Sequence, residues 1–285
     1  MQGLIDHGVA GLHHLNNGHI DCMDSNYKIH FGLGQHLTLI NTPEVFKVSV
    51  AGIKLGNYLT HTLAPDIPNR SFLDIGTGSG VHALLIRALG GHDIIATDIS
   101  EKSIDQARLH EHINFNQAKI SFLVSDLFNN IAGRKFHTIV FNPPGWRTPS
   151  PSLLQRLKAI ELPGEIPIES MFYGEQVITR FLEDLPQYLE PTGKAIVGLN
   201  SLVGIRDVLS RYNQRHNGAP PLVYKLAERH TLPLLYYSAN WKACRKHLTK
   251  EFEHWSSQDL ATYCVDHNGN IYWSYEIIEF SLRTI

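Results

Sequence analysis

Arg70-Ser-Phe-Leu-Asp-Ile-Gly-Thr-Gly-Ser-Gly80 passes from a short apolar run to an acid and then to alternating glycines. The first half, Arg70–Asp74, reads as a short buried strand. The second half predicts a tight turn whose backbone can approach a ligand closely. The helix that follows, through Ala83, Leu84, Ile86 and Leu89, offers free N–H groups and a positive dipole end to that turn. Working outward, His92–Thr97 is a second strand ending at Asp98, and Ser100 caps a helix from about Glu101 to Phe115. Lys119–Val124 is a third strand, followed by Asp126, and Phe136–Phe141 is a fourth, ending in Asn142. A helix from about Ser170 to Leu189 places Val177, Ile178, Phe181, Leu182 and Leu185 at helical spacing. The Pro-Thr-Gly turn at 191–193 then introduces a fifth strand, Ala195–Leu199. This alternation predicts an α/β protein with a doubly wound, mostly parallel sheet covered on both faces. Right-handed crossovers leave a ligand crevice at the carboxyl ends of such strands. Asp74, Asp98, Asp126 and Asn142 fall at those ends and are expected on one rim.

The flanks are less patterned. Residues 1–42 show no strong period, Pro43–Leu63 reads as a lead-in helix and Pro65–Pro68 as a loop. A helix is expected around Ser201–Tyr212 and a turn at Asn217–Pro221. Ile271–Leu282 reads as strand material at an antiparallel edge. Three parts are expected: residues 1–66 as an N-terminal extension on the lid or substrate side, 67–200 as the ligand-binding catalytic core, and 201–285 as a C-terminal part completing the sheet.

With 43% hydrophobic and 18% charged residues and a net charge of -2, the 285-residue chain suits a globular core more than a nucleic-acid track. Arg206, Arg211 and Arg215, and the run Lys242, Arg245, Lys246, Lys250, read as solvated helix faces. Cys22, Cys244 and Cys264 form no CxxC pair, so free thiols in a reducing compartment are expected, with no zinc site or disulfide. The early cluster His7, His13, His14, His19, Asp21, Cys22 and Asp24 matches no metal-binding spacing. The chain shows neither a membrane span nor a signal peptide, which makes the cytoplasm the expected compartment.

The glycine loop alone does not name its ligand. From Gly78, Gly-Ser-Gly-Val-His-Ala also fits a dinucleotide fingerprint. Asp74, directly before the loop, suits a ligand ammonium, for which a nicotinamide has no use. Phe141-Asn-Pro-Pro-Gly145 is more informative still. Two prolines fix φ and remove two donors, and Asn142 is pushed to extended geometry. The Asn142 side-chain oxygen and a proline carbonyl remain as a rigid edge of acceptors for an N–H-bearing group.

On these strings the chain resembles the Rossmann-like S-adenosylmethionine-dependent methyltransferases, over roughly residues 43–200. Within them it is similar to the Asn-Pro-Pro amino-methyltransferases. These include glutamine methyltransferases of peptide release factors and adenine- and guanine-N methyltransferases of RNA and DNA. The resemblance implies S-adenosylmethionine as cofactor, with Asp74, Gly76, Gly78 and Gly80 as its loop and Asp98, with Ile99 beside it, on the ribose. Asp126 and Leu127 would border the adenine, and Asn142 and Pro143 would hold the reacting nitrogen. Tyr173, Gly174 and Glu175 fall where a loop and helix close over the cofactor, and Tyr173 would add a cation–π wall. Tyr27 is weighted toward packing. The family carries an aromatic or histidine ring after the second proline, where this chain has Gly145 and then Trp146. Gly145 is expected to leave space near the sulfonium, with Trp146 either swinging in or packing. The missing ring and the near-neutral charge disfavour a nucleic acid partner. The leading expectation is N-methylation of a small molecule or an amino acid or peptide. The alternatives are methylation of an RNA base or a protein glutamine, and cyclisation of the cofactor itself to azetidine-2-carboxylate with release of methylthioadenosine. A non-catalytic binding protein or a nicotinamide dehydrogenase ranks below these.

Overall fold

The computed structural model describes residues 4–6, 26–63, 67–131, 133–160, 164, 166–235 and 242–284. The early His, Asp and Cys cluster and Cys22 lie outside them. The chain divides into two compact units, Met1–Asn142 and Pro143–Ile285.

In the first unit, β1 (Leu4–Asp6), β2 (Asn26–His30) and β3 (His36–Ile40) form a small antiparallel sheet. Tyr27, Ile29, Leu37 and Leu39 alternate inward and are buried. Helix α1 (Val50–Thr62) begins later than the sequence predicts, because Ser49 is its cap and accepts a hydrogen bond from the Gly52 N–H at 3.1 Å. The parallel strands β4 (Ser71–Ile75), β5 (Asp93–Asp98), β6 (Ser121–Val124) and β7 (Phe136–Phe141) lie in the order β7-β4-β5-β6. All five residues of β4 are buried, as befits a parallel strand covered on both faces. Helix α2 (Val81–Ala88) follows β4, and α3 (Glu101–Phe115) follows β5. Ser100 caps α3 by accepting from the Ser103 N–H.

One polar stripe of α3 acts as a substitute strand. Gln106, His110 and Asn114 recur every fourth residue and so share a face. Asn114 accepts from the Thr38 N–H at 2.9 Å and donates to the Thr38 carbonyl at 2.7 Å. His110 Nε2 accepts from the Ile40 N–H at 2.9 Å. Gln106 donates to the Ile40 carbonyl at 2.7 Å and accepts from the Thr42 hydroxyl at 2.6 Å. Alternate residues of β3 thereby satisfy their outward backbone groups on side chains.

The second unit contains α4 (Pro151–Lys158), α5 (Gly174–Tyr188), β8 (Leu189–Asn200), α6 (Ile205–Arg215), β9 (Leu222–Pro233), α7 (Arg245–Ser257), β10 (Tyr263–Val265) and β11 (Ile271–Leu282). The expected edge position of β11 is incorrect. β11 pairs antiparallel with β8 and β10 along one side and with β9 along the other. The twelve-residue β9 escapes sequence reading because most of it is exposed and carries no buried alternation. The core of this unit gathers Trp146, Phe172, Leu248, Phe252 and Trp255. Among the described residues, no helix is long and apolar enough to cross a membrane, and no group of three or more His, Cys, Asp or Glu is placed to hold a metal ion.

Candidate active site

Asp74 is 1% exposed at the end of β4. Its Oδ2 accepts from the Thr77 hydroxyl at 2.5 Å and from the Ala83 N–H at 3.1 Å. Its Oδ1 is buried with no hydrogen-bond partner among the described residues. Burial pushes the carboxyl above the ordinary carboxylate range, opposed by the nearby His82 and by the Thr77 and Ala83 donors. An orphaned carboxylate oxygen of this kind is costly unless a ligand donor meets it.

Gly76, Gly78 and Gly80 adopt φ of +61°, +53° and +84°. A side chain at Gly80 would collide with Ala107 on α3, at 2.9 Å from its Cβ. At Gly78 the Cβ direction is open, and its N–H donates to Asp98 Oδ2 at 2.8 Å. The other Asp98 oxygen accepts from the Ser100 N–H at 2.9 Å, and burial raises this carboxyl as well. The loop is further tied to the end of β5, where the Thr97 carbonyl accepts from the Thr77 N–H at 2.8 Å. Ile99, next to Asp98, is 72% exposed. The Asp98 carbonyl accepts from the Ser125 N–H at 2.9 Å, which brings the Asp126–Leu127 turn to the same strand end. Leu127 has φ +49°, a conformation costing a side-chain-bearing residue roughly 1–2 kcal/mol. Ser125 holds it, donating to the Leu127 carbonyl and accepting from the Asn130 N–H, both at 3.0 Å. The structure therefore brings the predicted residues of the first unit to adjoining strand ends: Asp74 and the glycines on β4, Asp98 and Ile99 on β5, Asp126 and Leu127 after β6, and Asn142 after β7.

Asn142 closes the first unit and Pro143 opens the second. Within the second unit the Pro-Pro-Gly-Trp segment is stitched to the stretch around Tyr173. Trp146 N–H donates to the Met171 carbonyl at 3.0 Å, and Gly174 N–H donates to the Trp146 carbonyl at 2.8 Å. Gly174 lies so close that an added Cβ would stand 2.1 Å from the Pro144 carbonyl oxygen. Glu175 accepts from the Thr148 N–H and, at 2.6 Å, from its hydroxyl. Tyr173 caps α5 at φ +63°, its ring half-buried against the Trp146 cluster.

Trp146 packs and does not serve as a substitute ring. It is 2% exposed, edge-on to Phe172 at 5.2 Å and to Phe252 at 5.4 Å. Tyr27 is likewise buried, with its hydroxyl raised to about 12 by burial. Gly145 does not face an empty space: an added Cβ would meet Asn200 Nδ2 at 2.7 Å. Thr77 and Asn200 are absent from the residues predicted from sequence. Asn200 carries a signal of the same kind as Asp74 and Asn142, a polar residue ending a strand.

The family model for the methyltransferase small domain matches residues 36–153. A protein of Methanocaldococcus jannaschii, provisionally described as a protein N5-glutamine methyltransferase, is 29% identical over 169 residues, covering 59% of this chain and 79% of that protein. The ribosomal protein uL3 glutamine methyltransferase of Xanthomonas campestris pv. campestris is 32% identical over 130 residues, 44% of this chain and 40% of its own length. Among solved structures, the T. thermophilus 16S rRNA N2 G1207 methyltransferase in complex with AdoMet and guanosine is similar in fold, with a TM-score of 0.52 at 18% identity over 90% of this chain and 50% of that one.

These relatives overturn the expectation of a small-molecule or free amino acid partner, since both are named for glutamines of proteins. The missing ring weighs only against a nucleic acid base and does not separate a free acceptor from a protein side-chain amide. A side-chain amide is small too, and needs no slot for a base. What the family match and the relatives establish together is coarser than the acceptor: this chain is an S-adenosylmethionine-dependent transferase with a class I, Rossmann-like methyltransferase core.

Proposed function

We propose that the chain methylates the side-chain amide nitrogen of a glutamine in a protein. The observation that carries this reading is the Asn142-Pro143-Pro144 string directly after β7, whose side-chain oxygen and carbonyl would serve as acceptors for an N–H2 group. The names of the two relatives support the protein glutamine over other nitrogens. A protein acceptor of the ribosomal kind also implies the cytoplasm.

The first unit fits the cofactor. Asp74 Oδ1, buried and unmatched, would take the ammonium of the methionine arm. The Gly76, Gly78 and Gly80 turn would let the backbone approach that arm, and Asp98 would accept from the ribose hydroxyls. Ile99 would lie against the adenine, bordered by Asp126 and Leu127. When bound, S-adenosylmethionine supplies a methyl on a sulfonium, which passes in line to the nitrogen as the C–S electrons leave with sulfur.

The protein's work is positioning. Asn142 Oδ1 and the Pro143 carbonyl would accept the two amide hydrogens and turn the nitrogen toward the methyl. The displaced proton leaves to solvent, and no strong general base is required. Tyr173, as the cap of α5, would hold the Gly174 turn against Pro144 and so keep the proline edge rigid.

The test is transfer from tritiated S-adenosylmethionine to ribosomal protein from cells lacking the chain, with the site mapped by mass spectrometry. One methyl on a glutamine is expected. Asn142→Ala should cut kcat by about 100-fold, in the range of a lost positioning contact, and leave cofactor affinity within about twofold. No label on any protein, with cofactor binding intact, would sink the reading. Methylthioadenosine formed with no acceptor present would favour cyclisation instead.

A further inference from the structure

Three facts converge on Asn200, the last residue of β8. Its Oδ1 accepts from the Leu202 N–H at 2.9 Å, capping the short helical turn Ser201–Val203. An N–H can only bond the oxygen end of the amide, so this contact fixes which way the side chain faces. The Nδ2 end, with two donors, then has no hydrogen-bond partner among the described residues. It lies over Gly145, where an added Cβ would meet Nδ2 at 2.7 Å and Asn200 Cγ at 3.2 Å. Asn200 is 8% exposed, and its Nδ2 is not sealed from solvent, so a ligand oxygen could reach it. Gly145 is thus small because an amide occupies the position where the resemblance leads one to expect a ring.

A primary amide acceptor has two ends. Its N–H2 needs an acceptor, which the Pro143 carbonyl, in the same unit as Gly145 and Asn200, would offer. Its carbonyl oxygen needs a donor, and neither proline can give one. We propose that Asn200 Nδ2 is that donor, and that Asn200 determines specificity for an amide by binding the carbonyl oxygen of the acceptor glutamine. This inference rests on the proposed glutamine reading. It makes the pair Gly145 and Asn200 a single device, glycine clearing the space and asparagine filling it with N–H groups. A carboxylate or a lysine amine would leave these donors or the acceptor edge mismatched, at the cost that buried unmatched polar groups impose.

The decisive variant is Asn200→Asp. Aspartate keeps the shape and the oxygen that caps Leu202, and replaces the donor end by a charged acceptor oxygen that repels a carbonyl. The wild-type chain is first given total ribosomal protein and tritiated S-adenosylmethionine, and the labelled protein is purified as acceptor. Asn200→Asp is then expected to raise KM for that acceptor at least tenfold, with a smaller fall in kcat. Its cofactor affinity by calorimetry and its melting temperature should match the wild type. A purely structural role would instead lower the melting temperature and leave KM alone. Gly145→Ala, which pushes the amide aside from the opposite face, should show the same KM signature and serves if Asn200→Asp does not fold. An unchanged KM in a folded variant, with the wild type active on glutamine, overturns the inference and spares the function. A wild type that binds cofactor and labels no glutamine overturns both.

Discussion

Asp74 is the residue on which the cofactor site turns. One oxygen is satisfied by Thr77 and Ala83, and the other is sealed without a partner among the described residues. Because burial raises its pKa, the folded protein without ligand keeps the Asp74 proton to a higher pH than the unfolded chain does. The contribution of Asp74 to stability is therefore greatest at acid pH and declines as pH rises through the raised value. Binding an ammonium requires the ionised form, so cofactor affinity should rise over that same interval. Calorimetric titration with S-adenosylmethionine from acid to neutral pH tests this. Asp74→Asn should flatten the profile and weaken binding at neutral pH by about 2 kcal/mol, the scale of a hydrogen bond to a charged group. At this scale the sequence is legible where a residue's place depends on its strand alone. Asp74, Asp98, Asp126 and Asn142 are polar residues following apolar strands, and the alternation of strands suffices to align them. Thr77 and Gly145 are not legible in this way, because their meaning lies in what they touch. Nothing in the string Pro-Pro-Gly says that an asparagine from a strand more than fifty residues later covers the glycine.

Among the elements, α3 joins the small N-terminal sheet to the glycine loop through one imidazole. His110 Nε2 accepts from the Ile40 N–H, so its Nδ1 carries the hydrogen that Ser79 accepts at its carbonyl, at 2.8 Å. The Ile40 bond requires the neutral ring, and burial lowers its pKa. The unfolded chain takes up this proton near pH 6.5 and the folded chain does not. The stabilisation is thus complete above about pH 6.5 and is lost as pH falls below it. Urea unfolding at pH 7.5 and pH 5.5 should show a larger loss for the wild type than for His110→Gln, and His110→Gln should also weaken cofactor binding through the loosened Ser79. Equal slopes for the two proteins would remove His110 from this role. The elements themselves were unevenly readable. Phe136–Phe141 and Glu101–Phe115 have the bounds the sequence predicts, since burial and caps there are local. The β2–β3 pair was hidden because five residues of alternation are too few to stand above chance. Strand β9 was hidden because its stability comes from its pairing with β11 more than from its own burial.

At the level of the whole molecule, the sequence assigned most of its information to the first unit, where strand and helix alternate. It said least about the second, whose antiparallel strands depend on distant partners. The stripe of Gln106, His110 and Asn114 matters here in another way. A strand with bare backbone on its outer side is a template on which a second chain can add itself, and proteins block such templates or aggregate. In this protein the block is made of side chains, so it can be removed without touching a strand. Replacing Gln106 and Asn114 together by leucine should leave the helix intact, since leucine is a good helix former, while freeing the Thr38 amide and carbonyl and the Ile40 carbonyl. Light scattering and size-exclusion chromatography of that variant should show concentration-dependent self-association beyond that of the wild type. A monodisperse variant would mean that something else guards this border. If the association appears, solubility in this protein is written on a helix, in two polar side chains, Gln106 and Asn114, that occupy the backbone of a neighbouring strand.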